Sequence, residues 1–493
     1  MKRKKIRSFC AALLVFLQVI FVVPVQAEGY SEYIDRVIDM AKERYYQDVS
    51  EEDLIKGALK GIFGAMDEYT TFFNMEEAEN FLSSMEGNYQ GIGVEIIEVS
   101  EGVMIARVFS NSPAEGAGIL KDDIITQVNG SDIKGFSSQN VAALIRGESG
   151  TYVELGIIRG DSTEIMNVRV QRGVVNISPV SWRVDGDVMY IKLSSFSGNS
   201  TYYFEQALKE MDAAGIIKMV LDLRDNPGGE VNQAVNIARH LVRMGTITKL
   251  DFKSEDAKDV VYNSFITKPK YIPAILVNGN SASASEILAS AVQDSRDGFL
   301  VGTNTFGKGV VQNLYPILSP AAYEKYREIY GESIIDGYDW INKYNINIGE
   351  SELIGWTKIT TGHYLTRSGN MIHGVGITPD FTVDDYKPVY GINIHDVYHM
   401  DFSGEILLNG IGNDVYNTER ILIHKGYELE VPDNILDVKT SECIKLYQKE
   451  KGIDITGTIN NETRSTLNDE LKDLRLKVDA QYAKAIELLE LFN

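Results

Sequence analysis

From residue 173 to about 400, short apolar runs alternate with stretches of helical period, and this restricts the fold more than any other feature of the chain. Val188–Leu193, Met219–Leu223, Ala274–Val277 and Phe299–Val301 read as strands, rich in aliphatic and β-branched residues. Thr201–Ala214, Val231–Arg243 and Ser285–Val292 lie between them and read as helices. Such alternation predicts an α/β core with a largely parallel sheet. Pro316–Trp356, rich in tyrosine, reads as a helical insertion between strands.

The flanks follow other periods. Residues 28–86 read as helices, with Ile34, Val37, Ile38 and Ala41 along one face, until Met66–Phe73 breaks the pattern. Between 87 and 172 the runs are short and β-like: Val94–Val99, Val103–Phe109, Ile124–Val128, Val153–Arg159 and Ile165–Val170. One amphipathic helix interrupts them, capped by Ser137 or Ser138, with Val141, Leu144 and Ile145 facing inward. This is one small domain inserted ahead of the core. Beyond 400 the character changes again, first to a helical module over 401–470. A terminal amphipathic helix over 471–493 follows, best defined from Lys472 to Phe492, and it is able to pack on its own chain or on a second copy.

Lys2, Arg3, Lys4, Lys5 and Arg7 precede an apolar run from Phe9 to Val25 that closes with Gln26-Ala27, the pattern of a secretory signal peptide over 1–27. Left uncut, the run approaches the length of a membrane anchor, although Gln18 and Pro24 count against that. Once the leader and Cys10 are gone, Cys443 is the sole cysteine, so an extracytoplasmic protein of this sequence is held by packing and not by an internal disulfide. The net charge of −22 excludes non-specific nucleic-acid binding and otherwise reads as a solvated surface.

Three turns carry the residues that could do chemistry. Val277-Asn278-Gly279-Asn280-Ser281-Ala282-Ser283-Ala284-Ser285-Glu286 leaves a buried strand and opens a helix, where backbone N–H groups stand unpaired beside any nucleophile. Ser283 with Glu286 also fits a capping box, so the residues alone leave both readings open. Gly302-Thr303-Asn304-Thr305-Phe306-Gly307-Lys308-Gly309 presents one lysine among small residues, and a desolvated lysine can lose its proton and serve a serine hydroxyl as base. The same turn comes close to a phosphate-binding loop, but Gly309 stands where a hydroxyl is needed, and the strand-like Val310-Val311-Gln312-Asn313-Leu314 follows where a helix belongs. Leu221-Asp222-Leu223-Arg224-Asp225-Asn226-Pro227-Gly228-Gly229 is a strand entering a glycine turn, where amides can approach a ligand closely. All three follow strands of one sheet, and such sheets bind ligands at strand carboxyl ends.

These segments resemble the C-terminal processing, or tail-specific, peptidases. LDLRDNPGG, VNGNSASASEILASAVQD and TFGKGVVQ, then KITTGHYLTRSG and GVGITPD, occur in the family's order within a resemblance that covers about residues 30–385. The resemblance implies a core of the crotonase/ClpP-like spiral type, Ser283 as nucleophile, Lys308 as base and Gln312 as the residue that orients the lysine. It places the oxyanion donors on the amides of Ala284 and of Gly228 or Gly229, and it implies no cofactor and no metal.

The small domain resembles a PDZ module. Tyr89-Gln90-Gly91-Ile92-Gly93-Val94 matches the loop whose amides capture a peptide C-terminus, and Ser112–Gly118 with Asp123-Ile124-Ile125 strengthens the likeness. Arg146, in the turn Arg146–Thr151, is either a surface residue or a coupler between tail binding and the active site. Residues from about 410 to 470 resemble a peptidoglycan-binding domain of three short helices, although Pro432–Leu436 lacks the usual glycine turn and Cys443 replaces a small aliphatic. The implied partners are protein substrates with free C-terminal tails, peptidoglycan, and a second copy of the chain in a homodimer. The pair His395 and His399 has a metal-compatible spacing but no accompanying acid, and reads as incidental.

Overall fold

The computed structural model describes residues 29–99, 101–109, 111–160, 162, 164–254, 258–401 and 404–492. The leader read at 1–27 lies outside them. The chain divides into two compact units, one of residues 76–313 and 360–493, the other of residues up to 75 with 314–359.

The larger unit is built on a six-stranded sheet in the order Val180–Asp185, Val188–Leu193, Lys218–Asp222, Ile272–Val277, Phe299–Gly302, Phe381–Thr382. The first two strands form an antiparallel hairpin, and every later neighbour is parallel. Helices Ser200–Ala214, Val231–Leu241 and Ala284–Ser295 contribute to the core on one face, where Met189, Ile191, Met219, Leu221, Ile275 and Val277 are buried. The alternate residues Val188, Tyr190, Val220, Ala274, Leu276 and Val301 are buried on the other face beneath the helix Ala480–Glu490. Cover on both faces is why these strands read as unbroken apolar runs.

The terminal helix departs from expectation. In place of one helix from Lys472 to Phe492 there are two, Asn461–Val478 and Ala480–Glu490, separated by Asp479 at φ −108°, ψ 95°. An aspartate is poor inside a helix and good at its N-cap, and here its carboxylate accepts the Tyr482 amide at 3.0 Å. The second helix packs on its own sheet through Tyr482, Ala485, Leu488 and Leu489. Burial at about 1.5–3 kcal/mol for each large apolar side chain makes that docking strong.

A buried polar network joins this break to the sheet. Arg224 donates to both oxygens of Asp222 and, at 2.7 Å, to Asp479. Asp479 in turn lies 2.8 Å from His395 Nε2, while His395 Nδ1 faces Arg183 at 2.9 Å. His395 is therefore a buried structural residue, whereas His399 is exposed. Burial pushes the His395 imidazole down from its ordinary 6.5 to about 4, with the Asp479 hydrogen bond opposing. Between those two pH values the unfolded chain binds a proton that the folded one refuses, so stability falls as pH drops from 6.5 towards 4. The expected loss is on the order of 3 kcal/mol at the acid end. Urea unfolding of wild type and His395→Gln at pH 7 and pH 4.5 checks this, and equal acid sensitivity of the two would refute it.

The β-rich insert also belongs to the larger unit. Its strands run Val94–Val99, Gly102–Val108, Ile124–Val128, Tyr152–Ile158 and Met166–Gln171, each within about a residue of the sequence reading. Ser137 caps the helix Ser138–Ile145 by accepting the Asn140 amide. Val141 and Ile145 face the core as expected, but Leu144 is exposed. A helix this short turns only one narrow stripe inward.

At the C-terminal end, Asn413–Lys425, Val438–Lys451 and Asn461–Val478 enclose their own core of Val415, Ile421, Leu422, Leu436, Ile444, Tyr447 and Leu467, with Cys443 buried among them. Asn434 sits at φ +64° in the turn that lacks a glycine, and asparagine is the side chain that best tolerates this conformation.

In the smaller unit, Thr71–Asn74 pairs antiparallel with Gly355–Lys358, and the helix Glu51–Gly64 covers Phe72, Ile317 and Ile354. The tyrosine-rich insertion holds the helices Pro320–Tyr330 and Gly337–Tyr344, then turns into a strand at Leu353. Its aromatics have a structural purpose: Tyr326, Tyr330 and Tyr344 surround the fully buried Trp340 at ring distances of 5.3–5.4 Å. On the helix Gly29–Arg44, Ile34, Val37 and Met40 remain exposed.

Candidate active site

The three turns singled out in the sequence leave the carboxyl ends of three adjacent parallel strands: Lys218–Asp222, Ile272–Val277 and Phe299–Gly302. Side chains lock the first two together. Asn278 Oδ1 accepts the Asp225 amide, and Asp225 Oδ1 accepts the Asn278 and Asn280 carboxamides, all at 2.8–3.0 Å. Ser281 Oγ, another hydroxyl of the serine-rich turn, donates to the Leu223 carbonyl at 2.7 Å. Ser285 Oγ donates to the Asn226 carbonyl at 2.9 Å. Both flanking serines are thus spent on structure and fully buried.

Ser283 differs from them. Its backbone sits at φ +56°, ψ −114°, a conformation that costs a non-glycine residue about 1–3 kcal/mol and persists only where the surroundings impose it. It occupies the N-cap position of Ala284–Ser295 yet makes no side-chain cap hydrogen bond. The Glu286 amide goes to the Ser283 carbonyl instead, at 2.8 Å, and the Glu286 carboxylate accepts the Ser283 amide, also at 2.8 Å. Capping is done by Glu286 and the backbone, so the hydroxyl is not consumed by it.

Glu286 does more than cap. Fully buried, its carboxylate also accepts Thr305 Oγ1 at 2.6 Å and the amides of Gly307 and Lys308 at 2.8 and 2.9 Å. One carboxylate thus ties the serine turn to the lysine turn. The Tyr364 hydroxyl makes a second tie, 3.1 Å from the Ser283 carbonyl and 2.5 Å from the Lys308 carbonyl. Burial, then the Glu286 charge, holds that phenol protonated and able to donate. Glu286→Gln turns an amide donor towards donors that need an acceptor. We expect kcat to fall about a hundredfold, the scale of a small misplacement of reacting groups, with KM changed little. Steady-state kinetics on one peptide substrate measures this, and an unchanged kcat would show the two turns need no such tie.

Gly228, at φ +103°, lies against the serine: a Cβ there would come within 2.8 Å of the Ser283 Cβ and 3.0 Å of the Ala284 nitrogen. Only glycine permits that approach. Its amide donates to Asn226 Oδ1 at 2.9 Å, so in this arrangement it is engaged with the protein itself. Gly229 is held against Phe196 by a parallel bridge. Gln312 lies in the strand Val310–Leu318, four positions after Lys308, and donates to Thr360 Oγ1 at 3.3 Å.

The expected carboxylate loop is partly assembled around a groove of about 220 Å³, whose walls include Ile92, Val94, Ile96, Ala142, Ile145 and Arg146. Tyr89 lies on it with Arg146 5.8 Å from its ring centre, and Gly91 also borders it. Gly93, at φ +83°, forms the bend, where a Cβ would strike Ser112. Gln90 is turned away, bonded to Glu79 at 3.0 Å and to the Ser149 amide at 2.7 Å. Arg146 also lines a second cavity of about 790 Å³, shared with Ser194, Ser195 and Ser197 of the core.

A strained serine at a strand-to-helix turn of a parallel sheet, beside a lysine turn and helix-start amides, is an arrangement suited to a serine hydrolase. The chain carries a peptidase domain of family S41. The Peptidase family S41 description matches residues 187–383, a PDZ domain matches 90–170 and a peptidoglycan binding domain matches 411–467. It is 28% identical to "Carboxy-terminal processing protease CtpA" of Bacillus subtilis (strain 168) over 93% of this chain and 90% of that one. It is 29% identical to "Probable CtpA-like serine protease" of Staphylococcus aureus (strain bovine RF122 / ET3-1) over 93% and 84%. Among solved structures it overlays the "Photosystem II D1 C-terminal processing protease" at 24% identity and TM-score 0.38, covering 71% of this chain and 86% of that one. With the S41 match and the relatives named as carboxy-terminal processing and CtpA-like serine proteases, the enzyme is a serine-type peptidase.

Sequence reasoning found the turns but missed two of their ties. Glu286 was visible only as a capping partner through its i+3 spacing, and Tyr364 only as a member of the segment KITTGHYLTRSG, with no role attached to it.

Proposed function

We propose that the chain is an exported endopeptidase that captures proteins by their C-terminal tails in the PDZ groove and cleaves them with Ser283 and Lys308. Ser283 Oγ attacks the peptide carbonyl while a neutral Lys308 amine takes its proton. The amides of Ala284 and of Gly228 or Gly229 hold the oxyanion, Gly228 on release of its bond to Asn226. Collapse breaks the C–N bond, Lys308 protonates the leaving amine, and water, deprotonated by Lys308, hydrolyses the acyl ester and restores the serine. Gln312 orients the lysine. The observation that carries this reading is Ser283 itself: held at φ +56°, uncommitted to capping, and tied through Glu286 to the turn bearing Lys308.

The same reading takes the core as a crotonase/ClpP-like spiral, supported by its parallel sheet with helical crossovers. It places the enzyme outside the cytoplasm, in the cell envelope or secreted, with the C-terminal module bound to peptidoglycan. The charged leader and the module's family match support that address. No helix among the described residues is long and apolar enough to cross a membrane. Assembly as a homodimer is supported by the exposed Ile34, Val37 and Met40 of Gly29–Arg44. The test incubates the mature protein and its Ser283→Ala form with an unfolded protein ending in apolar residues. Cleavage by the first alone is expected, and shortening that tail to a charged end should slow it. Cleavage by both forms would exclude Ser283 as nucleophile.

A further inference from the structure

A cavity of about 700 Å³ lies between the PDZ domain, the peptidase core and the C-terminal module, apart from both the serine turn and the tail groove. Its lining includes Asn417 and Arg420 of the module helix Asn413–Lys425. Asn417 is only 5% exposed, yet its carboxamide makes no hydrogen bond among the described residues. Asn417 lines the cavity and its carboxamide atoms are not enclosed by protein, which leaves them accessible to a ligand there. Arg420, 8% exposed, donates to the carbonyls of Asp396 and Asn393, while its Nε has no partner. The Tyr416 ring lies 5.2 Å from that guanidinium, and Tyr398, 55% exposed, adds a second aromatic face.

The opposing wall comes from the PDZ strand Val94–Val99 through Ile97. Module and PDZ domain are clamped together beside the cavity, where Asn413 donates its amide and carboxamide to Asp122 Oδ1 at 2.9 and 2.5 Å. Four of the cavity's charged groups pair off, Arg107 with Glu95 and Lys192 with Asp396. The space therefore suits neither a polyanion nor a polycation. Flat aromatic faces, an unpaired amide and half-satisfied donors suit a polar ligand with stacking faces, hydroxyls and amide groups.

The geometry points to this cavity as the binding site for an N-acetylated amino sugar of a glycan strand, with the PDZ domain completing it. The inference rests on the reading of the module as a peptidoglycan-binding domain and assigns its site. One consequence concerns regulation of the same enzyme. Ile96 borders the tail groove and its neighbour Ile97 borders the glycan cavity, so both ligands contact one strand. Any effect of glycan on tail affinity must be matched by an equal effect of tail on glycan affinity.

The test is calorimetric titration of the full mature protein with triacetylchitotriose, together with sedimentation on purified peptidoglycan. Wild type is compared with Asn417→Leu, with Ile97→Trp, which fills the cavity from the PDZ side, and with Tyr398→Ala at an exposed position that does not endanger folding. Weakening of at least tenfold in all three is expected, with cleavage of a short peptide unaltered. Wild-type binding that survives in all three puts the glycan site elsewhere on the module and overturns the proposal while leaving the module's family reading intact. Loss in Asn417→Leu or Tyr398→Ala but not in Ile97→Trp overturns the PDZ contribution. Failure of wild type to bind either the sugar or peptidoglycan removes the module reading and the proposal with it.

Discussion

Lys308→Arg should bind substrate tails with wild-type affinity and hydrolyse nothing measurable. Arginine keeps much of the reach, but a guanidinium does not give up its proton in a protein, so it cannot receive the one on Ser283 Oγ. The turn itself should survive, because what anchors it is backbone: the Gly307 and Lys308 amides on Glu286 and the Lys308 carbonyl on Tyr364. We expect kcat/KM to fall by about 10³-fold or more, the scale seen when a nucleophile loses its base. Ser283→Ala should lose as much, and the double variant little beyond either single one, since two residues acting as one unit are not additive. Cleavage of a tail-bearing substrate by all three proteins, with tail affinity measured separately by fluorescence anisotropy, decides it. Activity of Lys308→Arg within tenfold of wild type would remove the lysine from the role of base.

Asp479→Ala should be the most damaging single change outside the active site. The aspartate is fully buried and engages three partners: Arg224 at 2.7 Å, His395 at 2.8 Å and the Tyr482 amide at 3.0 Å. Burial alone would raise its carboxyl, but the His395 hydrogen bond and the Arg224 charge together hold it below the usual carboxylate range. Removing it leaves a buried guanidinium with one carboxylate where it had two, and strips the cap from the last helix. Breaking one side of a buried pair costs about 3–5 kcal/mol, a large share of the total stability of roughly 5–15 kcal/mol typical of a domain. Arg224 also begins the turn that carries Gly228 and Gly229, so protein that remains folded should show a lowered kcat as well. Urea unfolding followed by near-ultraviolet dichroism reads the first effect, and Asp479→Asn, which keeps a capping oxygen, should lie between. A midpoint equal to wild type would mean the network contributes nothing net.

Much of the core was legible because its signals are local. Val188–Leu193 and Phe299–Gly302 are strands by composition, and the glycine pairs and serine run mark where backbone must turn sharply. Helix ends were less legible: Val231–Leu241 stops two residues before the sequence reading, at a Val242 that has already turned extended. Leu144 shows the limit of periodicity on short elements, since eight residues are enough to define a helix but not which of two neighbouring leucine-sized positions it buries.

The candidate site divides the same way. The turns that bear Ser283, Lys308, Gly228 and Gly229 could be located from sequence, since close backbone approach and strand-to-helix corners need particular residues at particular offsets, while the roles of those four residues came only from the family resemblance. That the Ser281 and Ser285 hydroxyls are engaged with backbone could be read only from their partners, Leu223 and Asn226, nearly sixty residues earlier. Likewise, Asn226 as the present acceptor of the Gly228 amide is a fact of rotamer and packing.

The amino-acid order by itself settled the succession of elements, the sheet type and the positions of the reactive turns. Those depend on periodicity and on backbone freedom within a few residues, and both are written locally. Tertiary structure alone decided that Glu286 and Tyr364 clasp the serine turn to the lysine turn, that Asp479 breaks the last helix to reach Arg224, and that the module's Asn413 lies against Asp122 of the PDZ domain. Each of those contacts pairs groups from about 20 to nearly 300 positions apart, and their energy comes from satisfying buried charges and amides in a packed interior. Such satisfaction exists only once distant segments have been brought together, and no local pattern records it.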